Sequence, residues 1–430
     1  MPFIHFDEAK EFAIAQAKAW IANQQPQIQV MLIADLFGKL RLILWACCEL
    51  DKSKIEQDLA TQCGAWWSDE LLCIERLDPV TRKVYESGWE MARIDADEPR
   101  LRVLDRHRSR TAWFITKPVN PPWVAPRAGP PIIVFYSFKG GLGRSTLLAS
   151  FAIQRAHLGE RVCVLDFDLD SPGIGRLLSA DAEGKTARWG VVDFLLERSP
   201  ADAPLSDYYH RCDRVSGSGE IVVFPSGYMD EHYADKLARV DLEEAPEAHE
   251  SGLWKLLSRV SKELKPHWIL LDARTGISEP AGQLLSGIAH LHVLLGTTND
   301  QSWQGLTLVL DRLGTARVLD DRSQAEVLLV QAMVPSGDLG KVAKTQFAGR
   351  ADEEFDTRYY LADDEADQDC FWTVEDKDSQ DAPHAPMPVD YDSKLANFGD
   401  IAEVTDALCS GPYPPIVERI VNRFLTEPEA

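Results

Sequence analysis

The sequence holds eight cysteines, at 47, 48, 63, 73, 163, 212, 370 and 409, yet no two of them form a Cys-x-x-Cys pair. A structural zinc site calls for that spacing, so no zinc is expected, and the thiols read as reduced and mostly buried. A long uninterrupted apolar run is also missing. The most apolar stretch, Val30 to Cys48, is broken by Asp35, Lys39 and Arg41, so it is not expected to span a bilayer. Met1 to Glu8 is not a basic head followed by an apolar run, so no secretory signal and a cytoplasmic location are expected. Basic residues are scarce: 45 Lys and Arg stand against 68 Asp and Glu, a net charge of −23. Such a surface repels nucleic acid and anionic membranes except at a local basic patch, so neither is an expected partner. The basic cluster Arg100, Arg102, Arg106, His107, Arg108 and Arg110 could hold a phosphate or an acidic partner; a solvated face or pairing with acidic neighbours is the plainer reading. No internal repeat is present.

What is present suffices for two or three domains: 430 residues with 45% hydrophobic content. Residues 118–131 (PVNPPWVAPRAGPP) are too rich in proline for helix or sheet and read as a semi-rigid linker. Before it, residues 1–117 read as a small α/β domain: helices over 7–24, 53–61 and 80–92, strands over 27–33, 40–47 and 101–104. That domain has seven of the twelve tryptophans, counting Trp113 and Trp123 at its end, and no catalytic pattern. Its Trp66-Trp67 pair reads as core packing, with a protein-binding surface as the alternative. After the linker, residues 132–430 alternate apolar strands (132–138, 162–165, 220–225, 268–271, 291–295, 327–330) with helices, among them 189–197, 252–264 and 302–313. That alternation predicts an α/β fold, a mostly parallel sheet flanked by helices, with ligands outside the carboxyl ends of its strands.

Chemistry gathers at those ends. A triphosphate needs closely packed N–H donors, and Gly140, Gly141 and Gly143 let the chain curl without Cβ clashes before a helix near Ser145. A cation and a hydroxyl at the end of such a loop reach the phosphates and a Mg²⁺ ion, and here they are Arg144 and Ser145. Asp166 and Asp168 end one strand as Asp-Phe-Asp, and Asp272 ends Trp268-Ile269-Leu270-Leu271. Phosphoryl transfer is mostly positioning and charge neutralisation, which calls for a metal and a water-orienting acid.

The loop Lys139-Gly140-Gly141-Leu142-Gly143-Arg144-Ser145-Thr146 resembles the deviant Walker A loop of the ParA/MinD family of ATPases, whose pattern is Lys-Gly-Gly-x-Gly-Lys-Thr/Ser. The resemblance covers about residues 132–400 and implies a P-loop ATPase that dimerises on ATP and Mg²⁺. It implies that Lys139 reaches the nucleotide of the second subunit and that Arg144 and the loop residues 140–146 hold phosphate. Asp168 would position the attacking water, and Ser145, Asp166 and Asp272 would serve the metal. Arg274, in Ala273-Arg274-Thr275-Gly276, would sense the γ-phosphate or form an ordinary salt bridge. Gln331 and Pro388 lie where relatives contact the base. Arginine at 144, where the family has lysine, keeps the charge but not the geometry. A nucleotide-binding regulatory module without efficient hydrolysis is therefore the alternative reading. A bacterial tyrosine-kinase relative is a further one, against which the tail 416–430 has no tyrosine. Residues 1–117 would couple the nucleotide state to an unidentified protein partner.

Residues 351–381 are strongly acidic and read as an insertion, in part a surface loop; Pro383 to Pro388 reads as a turn. The final run, Ile416 to Leu425, is amphipathic. MinD proteins use such a helix on membranes, but acids in and after this one favour docking on its own domain.

Overall fold

Two sheets of different character divide the chain into compact units, Met1–Ala112 and Trp113–Ala430. The computed structural model describes residues 2, 5–24, 28–35, 39–45, 53–105, 120–197, 204–240, 251–319, 326–360, 378–379 and 381–425. Cys47, Cys48, Cys370, Trp113, the basic residues 106–110 and acidic residues 361–377 lie outside them.

The first unit runs α1 (Phe6–Ala22), β1 (Gln29–Ala34), β2 (Leu40–Trp45), α2 (Ser53–Cys63), β3 (Trp67–Cys73), α3 (Pro79–Met91), β4 (Arg93–Ile94) and β5 (Leu101–Asp105). Its sheet has the order β3-β2-β1-β5-β4, with β1 antiparallel to β2 and parallel to β5. Ala9, Ala13, Ala17 and Ile21 recur every four residues on α1, and this small-residue face buries against Val30, Leu32 and Leu42. On the opposite face the rings of Trp45 and Trp89 lie 4.3 Å apart, tilted by 38°, and pack with Met31, Ile33 and Ile43. Trp67 is buried and Trp66 meets Phe6 edge-on at 5.5 Å, so this pair is core. Arg100 pairs with Glu98, and Arg102 lies over the Trp89 ring, which accounts for the described part of the basic cluster.

The second unit runs β6 (Ile132–Ser137), α4 (Arg144–His157), β7 (Arg161–Phe167), α5 (Ile174–Leu177), α6 (Val191–Glu197), β8 (His210–Arg211), β9 (Glu220–Phe224), α7 (Tyr233–Leu237), α8 (Gly252–Arg259), β10 (Trp268–Ala273), α9 (Glu279–Leu284), β11 (Leu291–Gly296), α10 (Asp300–Leu319), β12 (Glu326–Val334), α11 (Gly337–Arg358), β13 (Met387–Asp390), α12 (Ser393–Ala396), α13 (Ile401–Leu408) and α14 (Tyr413–Asn422). The sheet order is β13-β12-β11-β6-β10-β7-β9-β8. Every neighbouring pair is parallel except β8 with β9. The inner strands are apolar throughout because both faces are covered. Along β6, Ile132, Val134 and Tyr136 enter one core while Ile133 and Phe135 enter the other, under α4.

Three segments depart from the sequence reading. The acidic stretch begins inside α11, where Phe347, Ala351 and Phe355 recur every four residues and are buried. Residues 387–390, read as part of a turn or just after it, form the edge strand β13; Pro388 is tolerated there because only one side of the strand pairs. The proline-rich stretch packs on the second unit from residue 120 on. Trp123 donates to the Pro130 carbonyl at 2.7 Å, and its own carbonyl lies 2.8 Å from His290 Nε2. Ile416, Val417, Ile420 and Val421 of α14 are buried in the same core as α4, so this face is docked. Among the described residues no helix is long and apolar enough to cross a membrane.

Burial lowers His290 and His292 from 6.5 to about 4 each. A base depressed by folding adds stability that is full above its ordinary pKa and is lost as pH falls through that value toward 4. Buried acids with raised values work in the opposite direction, so the direct readout is the ring itself. In a histidine NMR titration both imidazoles should stay neutral from pH 7 down to about pH 5. A midpoint near 6.5 for either would show that water reaches it.

Candidate nucleotide site

β6 delivers the chain to the centre of the sheet at Ser137, whose hydroxyl donates to the Lys139 carbonyl at 2.9 Å. The loop then turns through Gly141 (φ 77°) and Gly143 (φ 81°), left-handed conformations that favour glycine. A Cβ on Gly140 or Gly141 would meet no atom within 4 Å, so this side of the loop is open. α4 starts directly at Arg144 with Gly143 as its cap and no side chain on its first amides. Such a helix start suits an anion. Leu142 is half-buried against the core under α4; Thr146 and Lys139 are also half-buried, and among the described residues no carboxylate pairs with Lys139.

Arg144 turns inward. It is buried, and its Nε donates to Asp272 Oδ1 at 2.5 Å while Nη2 donates to Asp168 Oδ2 at 2.8 Å. Ser145 Oγ donates to the other oxygen of Asp272 at 2.7 Å. The loop cation and hydroxyl are thus tied to the acids ending β10 and β7, strands paired in register at Asp272 and Asp166. Complete burial pushes the Asp272 carboxyl above the usual carboxylate range, while Arg144 and Ser145 pull it back. Among the described residues Arg144 Nη1 and Asp168 Oδ1 are buried without a hydrogen-bond partner.

Asp166 serves its own loop. Its Oδ1 accepts the amide of Asp168, and its Oδ2 those of Gly173 and Gly175, each at 3.2 Å. Burial and the nearby Asp272 charge push this carboxyl up. Gly175 is required where it is, because a Cβ would lie 2.9 Å from Pro225 Cβ. The same loop is tied on its outer side by an ion pair between Asp170 and Arg274, and by Tyr233, whose hydroxyl donates to the Leu169 carbonyl at 2.8 Å. Arg274 therefore forms a salt bridge to this loop.

Two strands from β6, Gln331 is buried on β12 in register with Gly296 on one side and Pro388 on the other. Its Nε2 donates to the Ala343 carbonyl at 3.0 Å, and among the described residues its Oε1 has no partner; neither has Thr297 Oγ1, just past β11. Thr297 follows the apolar strand β11 directly, at a carboxyl end of the sheet where the sequence already places Thr297-Thr298-Asn299 beside the glycine loop and the acids.

Open glycine amides, an unpaired guanidinium nitrogen and an unpaired carboxylate oxygen suit a polyphosphate with a hard cation. Among the described residues no three His, Cys, Asp or Glu side chains form a ready metal cage. A hard cation such as Mg²⁺ takes one or two protein carboxylates and completes its shell from phosphate and water. Ser145 Oγ and Asp272 Oδ2, 2.7 Å apart, are oxygen donors of the kind such an ion takes.

A glycine loop between strand and helix at the centre of a parallel sheet, with acids ending the neighbouring strands, defines a phosphate-loop nucleotide-binding fold. Residues 130–195 match the ParA family model, described as NUBPL iron-transfer P-loop NTPase. The loop-bearing segment of the second unit is thus similar to that of ParA-type P-loop NTPases. Over 52 residues the chain is 42% identical to the cytosolic Fe-S cluster assembly factor nubp2 of Xenopus tropicalis, covering 12% of this chain and 19% of that protein. Over 49 residues it is 45% identical to the Homo sapiens NUBP2, covering 11% and 18%. It thus spans about a fifth of the length of the curated relatives it matches. The cell division ATPase MinD of Pyrococcus furiosus aligns at 18% identity with a TM-score of 0.41, over 68% of this chain and 99% of that one.

Proposed function

We propose that the second unit binds ATP with Mg²⁺ and hydrolyses it as a dimerising switch whose state is passed to a protein partner through residues 1–117. The observation that carries this reading is the lock of Arg144 onto Asp168 and Asp272 beneath an open glycine loop. Loop amides and Arg144 bind phosphate. Ser145 and Asp272 hold the metal, which when bound neutralises charge on the transferred phosphoryl group. Asp168, with one oxygen unpaired, orients water, and Asp166 shapes the loop that holds Asp168. Lys139, which pairs with no carboxylate among the described residues, reaches across to the nucleotide of a second copy. The free Oε1 of Gln331 is an acceptor, which suits the amino group of adenine better than the carbonyl of guanine.

The second reading, a module that holds nucleotide without efficient hydrolysis, is favoured by the same lock, because it occupies one oxygen of Asp168. The iron-transfer and Fe-S assembly roles named for the relatives are not carried over, because the match is confined to the loop-bearing segment. Calorimetry with ATP and Mg²⁺, phosphate release, and sedimentation with and without ATP separate these readings. Lys139→Ala should retain ATP binding within about threefold yet remain a monomer where the parent dimerises. A sedimentation profile identical to the parent's would remove Lys139 from the shared site.

A further inference from the structure

The helix α14 docks through its apolar face, but it also carries Arg419, whose side chain is only 10% exposed. Burying a guanidinium costs free energy unless its donors are used. The Nη1 and Nη2 donors of Arg419 converge on one short segment, while Nε makes no hydrogen bond among the described residues. Nη2 donates to the Ala382 carbonyl at 2.9 Å, and Nη1 lies 3.3 Å from the Ala385 carbonyl and 3.1 Å from Met387 Sδ. Asp381 adds its carboxylate at 3.5 Å. From the other side the same segment is tied by His384, whose Nδ1 lies 2.6 Å from the Tyr360 hydroxyl.

The segment leads directly into β13, which needs such support. β13 is an edge strand, and its register with β12 shifts between Gln331 and Val334. Within that bulge Met333 adopts a φ of 56°, costly for a side-chain-bearing residue. On β13, Pro388 lies opposite Gln331, with its unpaired Oε1. β12 stands two strands from β6, about 10 Å at the usual strand spacing, a reach that ribose and base can cover from phosphates on the glycine loop.

We propose that Arg419 is a positioning residue for the nucleoside end of the site: by gripping residues 382–387 it sets where β13, and Pro388 with it, lies against Gln331. The proposal rests on the nucleotide-binding reading above. Arginine is suited to the task because its rigid planar fork holds two carbonyls in a fixed geometry, whereas a lysine ammonium is a point charge on a flexible stem.

The test compares ATP with inorganic tripolyphosphate, which has the phosphates and no nucleoside, on the full chain with Mg²⁺. Arg419→Ala should weaken ATP binding about tenfold, the scale of one lost buried hydrogen bond, and leave tripolyphosphate binding within about twofold. Arg419→Lys should fall between. Unchanged ATP affinity, or an equal loss for both ligands, would overturn the proposal. Failure of the parent protein to bind tripolyphosphate would instead remove the phosphate-site reading and this proposal with it. Should Arg419→Ala not fold, hydrogen exchange on the parent decides. ATP should slow the amides of Met387, Val389 and Asp390 more than tripolyphosphate does, and equal protection by both would overturn the role.

Discussion

Asp272→Ala should cost the second unit about 3–5 kcal/mol of stability and abolish nucleotide binding. Asp272 is fully buried, and both its oxygens are in use, one by Arg144 at 2.5 Å and the other by Ser145 at 2.7 Å. Removing the carboxylate leaves the Arg144 guanidinium in a buried position with Asp168 as its remaining ion-pair partner. The penalty is that of an under-compensated buried charge, larger than the net worth of the pair, because the pair itself was costly to desolvate. Asp272→Asn keeps one acceptor and should lose less. Urea unfolding followed on the second unit's transition gives the measurement. A midpoint shift equivalent to less than about 1 kcal/mol for Asp272→Ala would show that Arg144 finds another partner and that the lock is not what holds the site together.

Asp168→Ala should leave ATP binding intact and slow phosphate release by about a hundredfold or more, the usual scale for a lost proton-handling or water-orienting group. Arg144 keeps Asp272, and Asp166 keeps its bonds to the Gly173 and Gly175 amides, so the binding loop and its frame remain. What disappears is a carboxylate held at one oxygen by Arg144 and free at the other. The variant should accumulate as an ATP-bound dimer on sedimentation. Hydrolysis at the parental rate would remove Asp168 from the reaction. A parent that binds ATP and releases no phosphate would select the holding module, in which the Arg144–Asp168 pair is a permanent latch.

Much of the larger sheet could be read from the chain because its inner strands are short, continuous apolar runs between glycine- or acid-marked turns, as at Ile132 to Ser137 and Trp268 to Ala273. Strands without that signature escaped. β3 has Ser68, Asp69 and Glu70 in its middle and lies at the edge of its sheet, where alternation is weak. β8 is two residues long and exists only through its pairing with β9. β13 begins at a methionine followed by proline, which reads as a turn until β12 supplies hydrogen-bond partners. The start of the acidic stretch belongs to α11 because three apolar residues spaced by four outweigh the charges around them.

The site divides along the same line. By itself the sequence determined the phosphate loop, since glycines with a following cation and hydroxyl act within eight contiguous residues, and it marked Asp166, Asp168 and Asp272 as acids at strand ends. Only the tertiary structure decided what those groups do to one another. Arg144 and Asp272 are 128 residues apart in the chain and form a buried ion pair. Asp166 gives its oxygens to the backbone of its own loop. Arg419 grips a segment more than thirty residues earlier. Local residue patterns encode backbone conformation and the sign of a charge. The partner of a buried charge is set by which strands lie side by side, and in a parallel sheet strand neighbours are not sequence neighbours.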